Sequence, residues 1–136
     1  MSIWLQSVGT HEEPLDPDWI RNHDDLLGFV WTTKHPNQWS AGDTVVYYAS
    51  GHGRIVAIVQ LDGEAEGGSG GRWQWQTAVR PVAVLDVETA PLLADAGLAP
   101  VPEYKRLSIA EYQRICDLIG ATLKMCIRDR SGPRMR

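Results

Sequence analysis

Short runs of apolar and β-branched residues, separated by turn residues, dominate the chain and predict strands more often than helices. The strongest run extends from Asp43 to Ser50, and a second extends from Arg54 to Asp62. Between them stands Gly51-His52-Gly53, a sequence typical of a tight turn. Apolar residues alternate along the second run, at Ile55, Ala57, Val59 and Leu61. Together these segments predict a β-hairpin.

Three further runs complete the predicted sheet. Ile3–Val8 and Phe29–Thr33 are rich in the β-branched and aromatic residues that favour strands. Arg72–Asp86 is longer, and its Pro81 predicts a bend or bulge because proline has no N–H for a ladder hydrogen bond. The segment Gly67–Gly71 lacks the Lys-Ser/Thr pair of a phosphate-binding loop, so we expect it to be a connector.

Two segments carry the start and stop signals of short helices. The first opens at Asp16, a favoured N-cap residue, with Pro17 at the first helical position, and it ends at Gly28. The second covers residues 89–96 and stops at Gly97. Both segments are bounded by residues that begin or end helices, so each predicts one short helix.

A third helix is predicted after a capping box formed by Ser108 and Glu111. Its apolar positions recur at helical spacing: Ile109, Tyr112, Ile115, Cys116 and Ile119. Because Cys116 lies on this apolar stripe, we expect it to be a small buried hydrophobic residue rather than a nucleophile.

These elements predict an α+β domain with about five to six strands and three flanking short helices. Because hairpin-linked strands occupy the centre, the predicted sheet is a small closed or nearly closed barrel. The 136 residues are enough for one domain. Apolar residues make up 43% and charged residues 22%, which is ordinary globular usage and excludes disordered and fibrous classes.

The net charge of −4 divides unevenly along the chain, with −8 on residues 1–123 and +4 on residues 124–136. A net charge of −8 on residues 1–123 disfavours non-specific binding to the phosphates of nucleic acids. The segment Lys124–Arg130 resembles, residue for residue, a translation of the transposon-end adapter used in sequencing libraries. We therefore expect a single domain over residues 1–123 and an adapter-derived or disordered tail over residues 124–136. A native basic tail that binds nucleic acid is the alternative.

Several function classes receive no support from the sequence. No apolar run approaches the ~20 residues that span a bilayer. The two cysteines cannot form a disulfide framework, and the four histidines lack the spacing of metal ligands. Neighbouring carboxylates such as Asp24 and Asp25 point apart, and Ser50 lies in no nucleophile elbow. We expect a cytoplasmic protein that is not an enzyme, binds no membrane and holds no metal or cofactor.

Tryptophan is unusually abundant, with six residues against five for phenylalanine and tyrosine together. Trp4, Trp19 and Trp39 have apolar neighbours in the sequence, so we expect them in the core. Trp31 stands at a strand end, followed by Thr32, Thr33 and Lys34. At such a position an indole either packs in the core or lines a ligand pocket, and the residues alone do not distinguish these two possibilities.

Motifs along residues 2–120 resemble the EVE domain of the PUA-like superfamily, whose relatives include the YTH readers of methylated adenine. The segment Gly42–Ser50 resembles the most specific motif, G-D-x-V-x-[FY]-Y-x-S, and Val30-Trp31-Thr32-Thr33 resembles the YTH stretch whose Trp forms part of an aromatic cage. Weaker matches are Trp4-Leu5-Gln6-Ser7, Ile55–Val59, Gly71-Arg72-Trp73 and Arg106-Leu107-Ser108. Ala57 replaces a glycine of the family, and the Gly67–Gly71 loop holds no cage aromatic.

This resemblance implies a binding module for a modified base, flipped or single-stranded, of DNA or RNA. Trp31 would stack on the base, and Trp73 is the candidate for a second cage ring. The other implied ligand-binding residues are Ser7, Thr32, Lys34, Ser50 and His52. For Ser7 and Ser50 the alternative is strand-end capping, and for His52 it is a solvated turn.

Two other functions fit the same pocket. A small-molecule or nucleoside-binding module would take the base without its strand, which the acidic body favours. A hydrolase acting on modified nucleosides would need a general acid or base, and Lys34 is the one candidate near Trp31. The implied partner is therefore a modified nucleobase or a free nucleoside, and the sequence does not identify an effector protein.

Overall fold

The computed structural model describes residues 2–9, 15–22, 24–32, 36–67, 75–100 and 104–131, and for Asp24 and residues 122–131 it describes the backbone alone. These ranges contain seven strands and two α-helices. The strands are β1 (Ile3–Val8), β2 (Phe29–Thr32), β3 (Thr44–Ala49), β4 (Arg54–Leu61), β5 (Glu66–Gly67), β6 (Trp75–Val84) and β7 (Tyr104–Leu107). The helices are α1 (Trp19–Asn22) and α2 (Ile109–Ser131), and 3₁₀ turns cover Asp24–Leu27 and Leu93–Ala96.

Six strands form one curled mixed sheet in the order β2-β6-β4-β3-β1-β7, and β5 pairs with the start of β6. Strands β1 and β3 are parallel, and the other neighbours are antiparallel. The ten-residue β6 pairs with β2 along its first half and with β4 along its second half. By changing partners in this way, β6 bends the sheet into a half-barrel. The predicted α+β class is therefore confirmed, and where the sequence predicts a small closed or nearly closed barrel the structure has a half-barrel of six strands.

The predicted central hairpin is present as β3 and β4, joined by a turn in which Gly51 and Gly53 have positive φ angles of 86° and 66°. The predicted irregularity of β6 is also present. Val59 pairs with Pro81 while Ile58 pairs with Ala83, so one residue of β6 is left over. This arrangement accommodates a proline that has no N–H to donate to the ladder.

The prediction of three helices is wrong, because the described residues form two α-helices. In the first predicted segment the side chain of Asp16 accepts a hydrogen bond from the Asp18 N–H (2.9 Å), but α1 is a single turn. Beyond it the backbone is held by the sheet. The Tyr47 hydroxyl donates to the Leu26 carbonyl (2.8 Å), and the Val79 N–H donates to the Gly28 carbonyl (2.9 Å).

The second predicted helix is a 3₁₀ turn, Leu93–Ala96, which ends at Gly97 with φ 74° as the sequence indicates. Its expected first turn is instead paired with the β3–β4 hairpin. The Pro91 carbonyl accepts a hydrogen bond from Ile55 N–H (2.8 Å), and the Leu93 N–H donates to the Gly53 carbonyl (2.7 Å). These bonds hold the backbone before Leu93 extended, so no longer helix forms.

The third predicted helix is present as α2, and its capping box has the expected geometry. The Ser108 N–H donates to Glu111 Oε1 (2.8 Å), and the Glu111 N–H donates to Ser108 Oγ (3.1 Å). These bonds hold the pKa of the Glu111 carboxyl below its usual value. Ile115 and Ile119 are buried, whereas Cys116 is only partly buried against the core and Ile109, the first member of the predicted stripe, is 72% exposed. The α2 backbone runs through residue 131, and the division into a domain and a foreign tail at residue 124 stays a prediction.

The core lies on both faces of the central strands. Trp4, Trp19 and Trp39 are buried, which confirms their predicted packing. All residues from Ile55 to Val59 are buried, so the predicted alternation of exposed and buried positions along β4 is wrong. Strands covered on both faces bury successive side chains. Along the ranges that the structure describes, no helix is both long and apolar enough to cross a membrane.

Two strands were not predicted from the sequence. Strand β7 pairs with β1 in antiparallel register and carries the exposed Lys105 and Arg106. Charged residues on an edge strand prevent unwanted pairing but hide the strand from a search for apolar runs. Strand β5 has only two residues and depends on β6 for its pairing.

Candidate functional site

The G-D motif holds two strands of the half-barrel together. Asp43, which is 4% exposed, accepts three hydrogen bonds. Its Oδ1 binds the Ser2 N–H (3.0 Å), while its Oδ2 binds the Trp4 indole N–H (3.2 Å) and the Ser40 N–H (3.0 Å). The most specific part of the family-like motif thus anchors the start of β1 beside the start of β3.

Trp4, Trp39 and Tyr104 form a packed group that we call the aromatic cluster. Their ring centroids are 5.0–6.2 Å apart, and the Arg106 guanidinium carbon lies 6.0 Å from the Trp4 ring centroid. Trp4 is 2% and Trp39 is 8% exposed. The Trp39 indole N–H is buried without a hydrogen-bond partner. Because both indoles are covered, the cluster packs the barrel and offers little ring surface to a ligand.

Trp31 has different surroundings on β2. Val30 and Thr32 are 1% exposed, whereas Phe29 and Trp31, at the alternate positions, are exposed and half-buried. Successive residues of a strand point to opposite faces, so Phe29 and Trp31 share the outer face of β2. Their ring centroids are 6.0 Å apart with planes inclined at 46°. We call Phe29 and Trp31 the aromatic pair, and it presents aromatic surface to solvent.

Gln6 connects β1 to β2 across the inside of the half-barrel. Its Nε2 donates to the Ser7 carbonyl (3.1 Å) and reaches the Trp31 carbonyl at 3.5 Å. Both neighbours are acceptors, so they fix which end of the carboxamide is the nitrogen. The other end, Oε1, is buried without a partner, although Gln6 is only 2% exposed. A buried acceptor with no donor costs stability unless something else bonds it.

The remaining predicted site residues lie in two places. Thr32 follows Trp31 on β2, and Ser7 is linked to Trp31 through Gln6. Ser50 and His52 lie at the β3–β4 turn. There the Ser50 N–H donates to the Val8 carbonyl (2.9 Å), and His52 Nε2 is 2.7 Å from the Leu15 carbonyl. Lys34 and Trp73 lie outside the described residues, so their predicted roles stay predictions.

Sequence reasoning missed two residues of this region. Gln6 is a polar residue on the same face of β1 as the buried Trp4 and Val8, and this period of two was available in the sequence. Phe29 stands two positions before Trp31, so the same period places both rings on one face. The unpaired state of Gln6 Oε1 was not available, because it depends on which groups a distant strand brings nearby.

Comparisons with known proteins agree on the fold. No protein-family model and no curated protein matches the chain. The NMR structure of Rpa0253 from Rhodopseudomonas palustris is 16% identical with a TM-score of 0.58, covering 89% of this chain and 94% of that one. The crystal structure of Atu2648 from Agrobacterium tumefaciens is 17% identical with a TM-score of 0.61, covering 88% and 94%.

A third similar structure is the YTH domain of Zygosaccharomyces rouxii MRB1, solved in complex with N6-methyladenosine RNA. It is 8% identical with a TM-score of 0.52, and the match covers 86% of each chain. The chain shares the fold of all three. At these identities the likeness concerns the fold alone, and it agrees with the YTH-related architecture expected from the sequence.

Proposed function

We propose that this chain is an EVE-like module of the PUA-like superfamily that binds a modified base, flipped or single-stranded, in DNA or RNA. One observation carries the proposal. The partly exposed Trp31 ring lies on the outer face of β2 beside the exposed Phe29 ring, so aromatic surface faces solvent there. Such a surface suits the stacking of a planar ligand. The fold shared with a YTH domain supports the same reading.

Stacking supplies most of the affinity in this mechanism. An indole face in contact with a base contributes about 1–3 kcal/mol. A base must leave its own stack to reach the protein, which costs least when the strand is already single. Trp31 is the stacking residue. Ser7, Thr32 and Ser50 contribute hydroxyl or backbone groups, and Trp73 contributes a second ring.

The acidic charge of the protein limits how much phosphate contacts can contribute to affinity. Residues 1–123 carry a net charge of −8, so the body of the protein repels a polyanion at long range. Lys34 and His52 are the proposed contacts to phosphate or base, and they make only a few charge contacts. Recognition therefore rests on the base, and an unmodified strand should bind weakly at physiological salt.

The same acidity favours a second candidate, a module that binds a small molecule or free nucleoside. We propose no catalytic step for either, and the hydrolase alternative is tested by looking for product. A panel of single-stranded DNA and RNA nonamers, each with one modified base, is titrated by fluorescence anisotropy. The matching nucleosides serve as competitors, and chromatography tests them for product. Tighter binding of one modified nonamer than of its unmodified control supports a reader, and equal binding of all nonamers contradicts it.

Competition separates the two candidates. A reader binds the modified nonamer more tightly than the nucleoside, because the strand adds contacts. A nucleoside-binding module binds both equally, or binds the nucleoside alone. Product from any nucleoside would instead establish the hydrolase.

A further inference from the structure

Phe29 is an exposed aromatic residue that the proposed base-binding mechanism does not use. Across the ranges that the structure describes, four large apolar side chains are exposed: Phe29 (39%), Val82 (63%), Leu92 (40%) and Ile109 (72%). Phe29 is the aromatic member of this set, and its ring touches that of Trp31. Exposing such a ring is unfavourable in water, so its place beside the proposed stacking residue calls for an explanation.

The geometry of the aromatic pair excludes one explanation. A base held between two rings needs roughly parallel planes about 7 Å apart, twice the 3.4 Å stacking distance. The centroids of Phe29 and Trp31 are 6.0 Å apart, and their planes are inclined at 46°. The two rings therefore cannot enclose a base between them, and Phe29 is not a wall of an aromatic cage around the modified base.

The residues of β6 that lie opposite the aromatic pair are smaller than the two rings. Across the β2–β6 ladder, Ala78 is opposite Phe29 and Gln76 is opposite Trp31. Directly opposite residues in an antiparallel pair point to the same side. A methyl group and an amide therefore flank the two rings. Neither of these directly opposite residues on β6 carries a ring.

We propose that Phe29 stacks the base of the nucleotide next to the modified one, so that the aromatic pair is a platform for two successive bases of one strand. The inference rests on the proposed function and deepens it, because it makes a strand rather than a nucleoside the ligand. Neighbouring aromatic residues on an open sheet bind successive bases in other single-strand binders. The inclined planes suit two bases that have been unstacked from each other.

Charges nearby indicate that this second contact is to the base and not to phosphate. Strand β5 pairs with β6 so that Glu66 is opposite Gln76. Glu66 thus faces the same side as the aromatic pair, two strands from Trp31, and is exposed. A carboxylate there repels phosphates, whereas stacking on Phe29 needs no charge. The flanking base is therefore held without strong preference for its identity.

The platform is tested by combining substitutions in the protein with changes in the ligand. The probe is the panel nonamer that the wild type binds most tightly, starting with RNA containing one N6-methyladenosine. It is compared with two copies in which the 5′ or the 3′ neighbour is abasic. In the wild type we expect one abasic copy to bind about tenfold more weakly, as one lost stack predicts. In Phe29→Leu, which keeps apolar packing without a ring, we expect less than a twofold difference between the same ligands.

Matched variants complete the design. Val82→Ala removes another exposed apolar side chain and should keep the tenfold effect, and Phe29→Tyr keeps a ring and should keep it too. Competition by the modified nucleoside should be equal in all variants. If both abasic copies lose the same affinity in the wild type and in Phe29→Leu, the platform is wrong while base reading stands. If the wild type prefers no modified nonamer, the proposed function fails and the platform fails with it.

Discussion

The aromatic cluster of Trp4, Trp39 and Tyr104 and the aromatic pair of Phe29 and Trp31 have similar ring distances but opposite exposure. Centroids lie 5.0–6.2 Å apart in the cluster and 6.0 Å apart in the pair. In the cluster both indoles are buried, whereas in the pair Phe29 is 39% exposed and Trp31 is half-buried. Ring contacts alone therefore do not separate an aromatic group that packs from one that binds.

Buried polar atoms without a hydrogen-bond partner occur near both sets of rings: Trp39 Nε1 in the cluster and Gln6 Oε1 inside the half-barrel. Beside the cluster, Asp43 accepts hydrogen bonds from Ser2, Trp4 and Ser40. Inside the half-barrel, Gln6 has both a bonded amide nitrogen and an unpaired Oε1. A buried polar atom with no partner is rare in folded proteins, since it costs about 1–3 kcal/mol. Because both regions contain such an atom, the exposure of the rings is what distinguishes the region that packs from the proposed binding region.

The largest expected effect is on stability, from Asp43→Ala. The change leaves three donors without their acceptor, of which the buried Trp4 indole N–H costs most, and an unpaired buried donor costs about 1–3 kcal/mol. We expect the free energy of unfolding to fall by about 3 kcal/mol or more in urea denaturation. Asp43→Asn, which keeps one acceptor oxygen, should lose less. A loss below about 1 kcal/mol for the alanine variant would show that the motif does not anchor β1.

Trp31→Ala should have the opposite profile, with ligand binding abolished and the melting temperature within a few degrees of the wild type. The partly exposed indole is not among the described residues packed against the core, and it supplies the proposed stacking surface. Binding is measured by anisotropy with the best nonamer, and folding by thermal melting.

Trp19→Ala is the matched control, because Trp19 is fully buried and its indole N–H donates to the Leu85 carbonyl (3.3 Å). A change of this size in a core costs about 3–5 kcal/mol. If Trp31→Ala unfolds as Trp19→Ala is expected to, then Trp31 is a core residue and the contrast between the two aromatic groups is lost.

Gln6→Met should change binding of the best nonamer by less than about twofold, because Gln6 lies inside the half-barrel whereas the Trp31 ring is on the outer face of β2. Methionine has nearly the same length but offers no strong acceptor. Thr77→Val is the control, since the Thr77 hydroxyl is also buried and unpaired. Removing that hydroxyl should leave affinity unchanged and stability equal or higher. A loss of about tenfold in Gln6→Met would show that the ligand reaches Oε1 inside the half-barrel, and it would contradict binding on the outer face.

Local signals account for the parts of the fold that the sequence predicted. The β3–β4 hairpin needs only its apolar runs and the Gly51-His52-Gly53 turn, and α2 needs its capping box and stripe. The second predicted helix fails because Pro91 and Leu93 bond a hairpin distant in sequence. Propensity in a short segment gives way to such tertiary bonds.

The candidate site was predictable only in part for the same reason. Trp31 could be singled out from its polar neighbours at a strand end and from a family-like motif. Gln6 could not, because its significance depends on the Trp31 carbonyl meeting it across the half-barrel. Phe29 shows an intermediate case, in which strand periodicity gives the shared face but not the 6.0 Å ring contact.

Salt dependence tests whether the pair binds bases rather than phosphates. A single-strand binder loses affinity with a log–log slope of about −0.7 for each phosphate it neutralises. Residues 1–123 have eight basic residues scattered among sixteen acidic ones, so we expect a slope equivalent to about two or three phosphates. The measurement is a titration of the best nonamer across a salt series. A steep slope without preference for the modified base would indicate a general nucleic-acid surface.

The smallest expected effect is that of deleting residues 124–136, which should change neither stability nor affinity for the modified nonamer. The segment carries +4, so as a native nucleic-acid arm it would add counterion release and raise affinity for any strand at low salt. The test compares full-length and shortened protein in thermal melting and in titrations at low salt with modified and unmodified nonamers. Lower affinity of the shortened protein for both nonamers would establish a native basic tail. It would also mean that part of the binding attributed to the aromatic pair comes from charge.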